Sequence, residues 1–328
     1  MTAARVAVVG SFVQDLAFKV PLFPAPGETR IGTFFTGPGG KGSNQAVACH
    51  RQNAPTVFIG AIGEDLFGNG YAEWALREKL PVELQRTTTA TGAASVVINQ
   101  EAQNLIVVAL GANDDLSPLH VLSALNRQEN LSVILLQAES NLEATKAALE
   151  HAQKRGAISI LNPAPINPGL TSELLALADI ITPNETEAAF LAKHVTGEER
   201  HIDVTALDDE TIIALCKRFP SSTTLITLGA NGSLLYQAST PHPNSKYIQK
   251  EDFVRIPALP GVTPVDTTGA GDAFNGGFAA GLVHFDGDIK RAIKYATVVA
   301  GLSTQREGTS PAMPTRAEVE RHADFFKE

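Results

Sequence analysis

Short apolar runs alternate with amphipathic stretches along most of the chain. Apolar runs such as residues 6–9 are typical of strands buried in a parallel sheet, whereas residues 142–155 place alanines at helical spacing. The repeated alternation predicts a mostly parallel sheet with helices on both faces, which is a three-layer α/β/α core. The predicted strands lie at 5–10, 57–60, 82–86, 133–136, 158–161, 180–181 and 224–229. The predicted helices lie at 43–52, 65–80, 142–155 and 270–282, and one further helix is predicted to end at residue 194.

Two stretches interrupt this alternation and have the pattern of strands and turns. Residues 16–36 carry three prolines and Gly27 between short apolar pieces, and residues 93–110 alternate as a hairpin does. We expect them to leave the core and to pair as one small β-sheet lid, formed by about 12–38 and 92–111. The remainder has no linker composition, so 1–328 is predicted to be a single domain, with surface loops at 195–209 and 237–252.

Composition narrows the class of partner. The formal net charge of −9 argues against nucleic acid and against an anionic membrane surface. Cys49 and Cys216 form neither a disulfide framework nor a metal-binding spacing, which favours a reducing compartment. Apolar runs stay far below membrane length, so we expect a cytoplasmic protein.

The glycine-rich stretch 265–277 runs from small residues directly into a predicted helix. A glycine-rich turn before a helix aims free N–H groups and the positive end of the helix dipole at one point, which suits phosphate. Asp272 lies in the first turn, where a carboxylate would accept the proton of an incoming hydroxyl during phosphoryl transfer. The alternative is a structural one, in which Asp272 complements the helix dipole and the glycines permit tight packing.

A second glycine-rich stretch, 36–45, also enters a predicted helix and adds the donors Lys41 and Asn44. Its alternative interpretation is an ordinary loop with a solvated lysine. Two familiar phosphate loops are excluded: Phe274 replaces the third glycine of a dinucleotide fingerprint, and Phe35 and Gly42 break the Walker pattern.

Residues 39–46 and 266–274 together closely resemble the two signatures of the ribokinase family of sugar kinases. The resemblance covers almost the whole chain, through segments 10–15, 26–29, 139, 162–165, 184–187 and 227–229. It implies a ribokinase-like fold with a lid and ATP-dependent phosphorylation of D-ribose at O5, giving ribose 5-phosphate and ADP. It also implies Mg²⁺, activation by K⁺, and a homodimer joined lid to lid.

The resemblance also implies roles for individual residues. Asp272 is the implied general base, and Asn184 with Glu187, although also a helix-capping pattern, is implied to position phosphates and Mg²⁺ through water. The implied anion hole is Gly269, Ala270 and Gly271; the sugar contacts are Ser11, Asp15, Gly39, Gly40, Lys41, Asn44, Glu139, Asp266 and Asp272; the ATP contacts are Asn184, Thr227, Gly229, Ala230, Gly232, Gly271 and Thr297; and the K⁺ ligands are Asp266, Thr268, Ser303, Arg306 and Gly308.

Three departures from the family pattern keep alternatives open. Val13 stands where some ribokinases have asparagine, and an apolar residue there is similar to deoxyribose-accepting relatives. Ala312 replaces a serine common near the K⁺ site, and Thr297 replaces a usual histidine or asparagine near the adenine. The alternatives are a related kinase acting on deoxyribose, another sugar or a nucleoside, and, more remotely, a non-catalytic sugar-binding protein.

Overall fold

The computed structural model describes residues 5–101, 103–197, 202–238 and 251–327. Its strands are β1 (Val6–Val9), β2 (Val13–Lys19), β3 (Thr33–Gly39), β4 (Thr56–Gly63), β5 (Val82–Thr87), β6 (Ala93–Ile98), β7 (Asn104–Ala109), β8 (Val133–Gln137), β9 (Ile158–Asn162), β10 (Ile180–Ile181), β11 (Thr223–Thr227), β12 (Ser233–Gln237) and β13 (Asp252–Ile256). Its helices are α1 (Lys41–Arg51), α2 (Leu66–Glu78), α3 (Pro118–Asn126), α4 (Leu142–Arg155), α5 (Ser172–Leu175), α6 (Glu185–Thr196), α7 (Asp209–Cys216), α8 (Ala270–His284), α9 (Ile289–Ser303) and α10 (Arg316–Glu320).

Nine of these described strands form one sheet in the order β13-β12-β11-β10-β9-β8-β1-β4-β5. Successive residues of β1 point to opposite faces, as they do in any strand. Val6 and Val8 join the apolar cluster that contains residues of α1, α8 and α9, whereas Ala7 and Val9 join the cluster that contains residues of α3 and α4. The predicted three-layer α/β/α core is therefore confirmed.

The order in which successive strands are added to the sheet reverses at β1. Strand β4 pairs with β1 in parallel on one side, and β8 pairs with β1 in parallel on the other. Connections that leave β1 and β8 therefore diverge, which opens a crevice at the carboxyl ends of these two strands. In open α/β sheets this is the place where ligands bind.

The remaining four strands form a separate small sheet in the order β3-β2-β6-β7. β2 and β3 pair in antiparallel fashion, as do β6 and β7, and the parallel pairing of β2 with β6 joins the two pairs. The predicted union of the two excursions in one sheet is confirmed.

Several boundaries differ from the predictions. α1 begins at Lys41 instead of residue 43, because Gly40 adopts a φ of 85° and serves as the N-cap. The sheet is mixed, because β12 pairs in antiparallel fashion with both β11 and β13 at its edge. The loop predicted at 237–252 lies between β12 and β13, which take only its first and last residues, and residues 239–250 lie outside the described ranges. The predicted loop at 195–209 is shortened by the end of α6 and the start of α7, and residues 198–201 lie outside the described ranges.

Helices α3, α5, α7, α9 and α10 were not predicted. Within the described residues, no helix combines the length and the apolar character needed to cross a membrane.

Candidate active site

The crevice between β1 and β8 holds a pair of polar side chains in direct contact. Ser11 follows β1 and Glu139 follows β8, and the Ser11 hydroxyl donates to Glu139 Oε2 at 2.5 Å. The same carboxylate oxygen accepts the backbone N–H of Lys41 at 2.8 Å. The two strand ends and the first turn of α1 are therefore tied together at one carboxylate.

Helix α8 brings Asp272 to the same place. Gly269 is the N-cap of α8 with a φ of 76°, a conformation that glycine adopts without strain. Asp272, only 8% exposed, accepts hydrogen bonds of 3.0 Å from Asn44 Nδ2 and from Gln45 Nε2. Two helices that both begin after glycines thus meet through a buried carboxylate.

Burial and the proximity of several carboxyl groups determine the pKa values in the crevice. Burial raises the pKa of Asp272, although the charge of Lys41 and the amides of Gln45 and Asn44 oppose the increase. Burial, reinforced by the charges of Glu139 and Asp272, raises the pKa of Asp15 to about 7. Carboxyl groups thus outnumber cationic groups among the residues that interact here.

Lys41 keeps its charge in these surroundings. Burial alone would lower the pKa of Lys41, but the charges of Asp272, Glu139 and Glu187 outweigh that effect and raise it. The ammonium is therefore held in the crevice as a cation, suited to a sugar oxygen or a phosphate.

The start of α6 adds a second cluster. Asn184 and Glu187 form a full capping box, as the alternative interpretation of this pattern predicts. Burial raises the pKa of Glu187, against the opposing N–H of Asn184 and the charge of Lys41, so this side chain also faces the crevice. Asn184 forms a parallel bridge with Thr227, which places the α6 start beside the end of β11.

The predicted nucleotide residues after β11 occupy a tight turn. Gly229 and Gly232 have φ values of 53° and 81°, with Ala230 between them in a short 3-10 turn. A Cβ atom at Gly232 would strike the backbone at Ile256 and Pro257. Thr297 is buried on α9, and its hydroxyl donates to the Ile293 carbonyl at 2.9 Å, inside its own helix.

The predicted K⁺ ligands lie on two segments that are bound to each other. Asp266 accepts 2.9 Å bonds from the backbone N–H groups of Thr268 and Gly308. Burial raises the pKa of Asp266, but the N–H groups of Gly308 and Thr268, together with the charge of Lys19, hold it below its ordinary value. The Arg306 guanidinium pairs with Glu318.

Sequence reasoning missed a set of buried polar side chains behind these residues. Ser310, fully buried, donates to Asn44 Oδ1 at 2.8 Å. Gln45, Asn162 and Asn275 lie within segments that the sequence analysis singled out, but no role was predicted for them. Gln137 and Thr182 directly follow predicted strands, and that position was their only signal.

A three-layer core with a crevice at its strand switch, two glycine-fronted helices and a buried carboxylate between them defines a small-molecule kinase of the α/β class. The chain belongs to the pfkB family of carbohydrate kinases, whose model matches residues 3–316. It is 37% identical to ribokinase of Bacillus subtilis (strain 168) over 319 residues, which cover 96% of this chain and 98% of that protein.

Two further similarities bear on the substrate. The chain is 32% identical over 321 residues to deoxyribokinase of Salmonella typhi, covering 94% of this chain and 95% of that protein. The structure of Arabidopsis thaliana ribokinase complexed with ribose and ATP has a TM-score of 0.78 and 29% identity, covering 100% of both chains. Full-length relatives therefore include kinases named for two different pentoses.

Proposed function

We propose that this protein is an ATP-dependent ribokinase, which converts D-ribose and ATP to ribose 5-phosphate and ADP. The observation that carries the proposal is the buried Asp272 carboxylate at the glycine-fronted start of α8, held by two amides. The full-length similarity to ribokinases supports ribose as the acceptor.

In the proposed reaction, Asp272 accepts the proton of the O5 hydroxyl as O5 bonds to the γ-phosphorus. The bond from that phosphorus to the β–γ bridging oxygen breaks, and ADP leaves with the electron pair. The N–H groups of Gly269, Ala270 and Gly271, at the N-cap and in the first turn of α8, would hold the phosphoryl charge; that of Ala270 also donates to the Thr267 carbonyl at 3.1 Å. A raised pKa makes Asp272 a stronger base than an ordinary aspartate.

Sugar recognition is assigned to acids and amides around the crevice. Hydroxyl groups donate and accept at once, so a pentose is matched by fixed carboxylates, amides and an ammonium. Gly39 permits close approach, because a Cβ there would strike the Asp15 carboxylate. The proposed sugar contacts are Ser11, Asp15, Gly39, Gly40, Lys41, Asn44, Glu139, Asp266 and Asp272.

ATP is assigned to the adjoining strand ends. The Asn184–Thr227 bridge places the α6 start beside the turn after β11, so both can face one nucleotide. The proposed ATP contacts are Asn184, Thr227, Gly229, Ala230, Gly232, Gly271 and Thr297.

The donor set fits Mg²⁺ bound mainly by phosphate. The described residues contain no group of three or more His, Cys, Asp or Glu side chains suited to hold a metal ion. Mg²⁺ keeps water and binds through one or two carboxylates plus phosphate oxygens, so Glu187 would hold it through water. When bound, the ion would supply positive charge to the phosphates.

The segments 265–268 and 303–308 fit K⁺. The N–H groups of Val265 and Asp266 donate to the Thr304 carbonyl, which fixes one segment against the other. A carboxylate and backbone carbonyls are suitable oxygen ligands for K⁺, and the ion would supply charge beside the start of α8. The proposed ligands are Asp266, Thr268, Ser303, Arg306 and Gly308.

We assign the small sheet as the lid of a single domain, 1–328, and as a dimer interface. Directly paired residues of adjacent strands share a face. Asp15, which interacts with Glu139 and Asp272, shares its face with Ala94 and Val108, so this face looks into the crevice. The opposite face carries the paired row Phe34, Phe18, Val97 and Leu105, which is apolar and half exposed.

A second copy of the chain is the proposed occupant of that outer face. Its apolar side chains are half exposed within the part of the chain that the structure describes, and a twofold dimer would bury them against their own equivalents.

Deoxyribose is the second candidate substrate, and Val13 favours it. Val13 lies at the start of β2, only 2% exposed, and offers no hydrogen bond to a sugar hydroxyl. A panel of ribose, deoxyribose, other sugars and nucleosides, assayed by ADP release, tests the proposal. We expect the highest kcat/KM for ribose. A much higher value for another compound would replace ribose as the substrate, and a lack of turnover with every compound would favour a non-catalytic sugar-binding protein.

A further inference from the structure

Gln45 binds one oxygen of the Asp272 carboxylate, Oδ1, and Asn44 binds the other, Oδ2. The Gln45 side chain is fully buried on α1. Gln45 Nε2 donates to Asp272 Oδ1 and to Asn162 Oδ1, each at 3.0 Å. Both amide hydrogens are therefore committed, one of them to the carboxylate that we assign as the base.

The orientation of the Gln45 amide is fixed by its neighbours. Gln137, on β8, donates through Nε2 to Gln45 Oε1 at 2.6 Å. Turning the Gln45 amide by half a rotation would set its oxygen against the Asp272 carboxylate and against Asn162 Oδ1, with two repulsive contacts. The hydrogen-bonding pattern thus permits one orientation, in which Gln45 donates to Asp272.

From Asn162 a buried chain of hydrogen bonds returns to α8. Asn162 Nδ2 donates to the Thr182 carbonyl at 2.9 Å, and the Thr182 hydroxyl donates to Asn275 Oδ1 at 2.6 Å. Asn275 Nδ2 donates to the Gly271 carbonyl at 2.9 Å. The path therefore begins at the side chain of Asp272 and ends at the peptide before it, and it passes the ends of β9 and β10.

We propose that Gln45 is a positioning residue for phosphoryl transfer, which holds the Asp272 carboxylate in a fixed relation to the start of α8. The proposal rests on the function assigned above, because it takes Asp272 as the general base. Through Asn162, Thr182 and Asn275, the same amide couples the position of the base to the helix turn that would bind the phosphoryl group.

Charged groups reach Asp272 from several elements, and they are unchanged by substitutions at Gln45. Lys41 on α1 and Glu139 after β8 act on the Asp272 carboxyl, and Asp272 in turn interacts with Asp15 on β2 and Glu187 on α6. The Gln45 amide stabilises the ionised form of Asp272, so loss of this donor raises the pKa of Asp272 while those charges stay in place.

The test replaces Gln45→Met, which keeps the length of the side chain and removes its donors. The carbon-13 resonance of the Asp272 carboxyl, assigned with Asp272→Asn, is titrated without substrate, and kcat is measured against pH. We expect the carboxyl to titrate at a higher pH than in the unsubstituted protein, because a donor to its ionised form is lost. The acidic limb of kcat should move in the same direction, and kcat at its plateau should fall by about 10–100-fold.

Gln52→Met is the matched control. Gln52 is also fully buried and is the C-cap of α1, but its amide donates to the Pro314 carbonyl and accepts from the Tyr295 hydroxyl, at the end of the helix away from the crevice. This variant should lose similar stability and leave both the titration and the pH limb unchanged. An unshifted titration in Gln45→Met, or an equal shift in Gln52→Met, overturns the proposal.

Gln45→Asn decides the matter if Gln45→Met does not fold, because it keeps an amide in the buried position and its shorter side chain withdraws the donor from Asp272. A shift in the same direction supports the proposal, and a folded variant with no shift overturns it. The carboxyl titration needs no turnover, so a shift without sugar phosphorylation would refute the assigned function and leave the positioning contact intact.

Discussion

Asp272 is the residue on which the proposed chemistry depends. Asp272→Asn keeps the size of the side chain and removes its capacity to accept a proton, so kcat should fall by about 10²–10⁴-fold. ATP affinity measured by calorimetry should change little. The exposed Asp114 offers a control, Asp114→Asn, which should keep normal turnover. Near-normal turnover in Asp272→Asn would remove this residue from the role of base.

Asp15 links sugar binding to stability. Its pKa of about 7 lies above the ordinary aspartate value of 3.8, so the native state binds more protons than the unfolded state between these pH values. The free energy of unfolding therefore decreases as pH rises from about 4 to 7. Below this window both states are protonated at Asp15, and the destabilising contribution is absent.

Asp15→Asn should remove this contribution. We expect the variant to be more stable than the unsubstituted protein at pH 8, by about 1–3 kcal/mol, and equally stable at pH 4. Urea unfolding at both pH values measures the difference, and the KM for sugar should rise because a hydroxyl partner is lost. A stability difference that is independent of pH would show that Asp15 is ionised without strain in the native state.

Helices α1 and α8 carry the two halves of the site, and a glycine sets their separation. A Cβ at Gly276 would strike the Gln45 carbonyl and the Ala48 side chain on α1. Gly276→Ala should therefore push α8 away, lower the free energy of unfolding by about 1–3 kcal/mol, and reduce kcat as Asp272 moves from its amide donors.

Gly70 supplies the opposite case inside a helix. It lies in α2, and a Cβ there would meet no atom within 4 Å. Gly70→Ala should raise the free energy of unfolding by about 0.5–1 kcal/mol and leave kcat unchanged. Denaturant unfolding measures the midpoint for Gly276→Ala and for Gly70→Ala, provided that the two variants have the same denaturant slope. Equal shifts of the midpoint in the same direction would contradict the packing argument.

The sequence predicted those elements whose own residues determine them. α4 forms at 142–155 as predicted, because Asn141 caps its start and Gly156 ends it in the left-handed conformation. β12 is as buried as β8, but its five residues have no periodicity of their own, and its antiparallel direction follows from the turn at 229–232. Such an element is defined by its pairing partner and not by its local pattern.

The same distinction holds in the site. Within each signature the glycines and polar residues stand close together in sequence, so each signature can be identified by its own pattern. The structure then places Asn44 of one signature against Asp272 of the other, 228 residues away. The amides behind them are joined over long separations, 117 residues for Gln45 with Asn162 and 93 for Thr182 with Asn275. These pairs have no sequence motif, because the hydrogen-bonding partner of each buried amide is determined by the tertiary fold.

For the molecule as a whole, the outer face of the small sheet determines the expected assembly. Val107, 72% exposed, pairs with Ser95 on β6, which pairs with Leu16 on β2, so it belongs to the outer face. Val107→Glu would bury a charge at the proposed twofold contact and should give a monomer in sedimentation at micromolar concentration, whereas the unsubstituted chain should be a dimer.

Leu119→Glu is the control that shows whether dissociation by Val107→Glu is specific to the outer face. Leu119 is 79% exposed on α3, at the surface of the core, so Leu119→Glu adds the same charge away from the small sheet and should remain dimeric. Since both substituted side chains are largely exposed in the protomer, neither variant should lose its fold, and thermal unfolding checks this. A monomeric unsubstituted protein, or equal dissociation of both variants, would exclude the outer face as the interface.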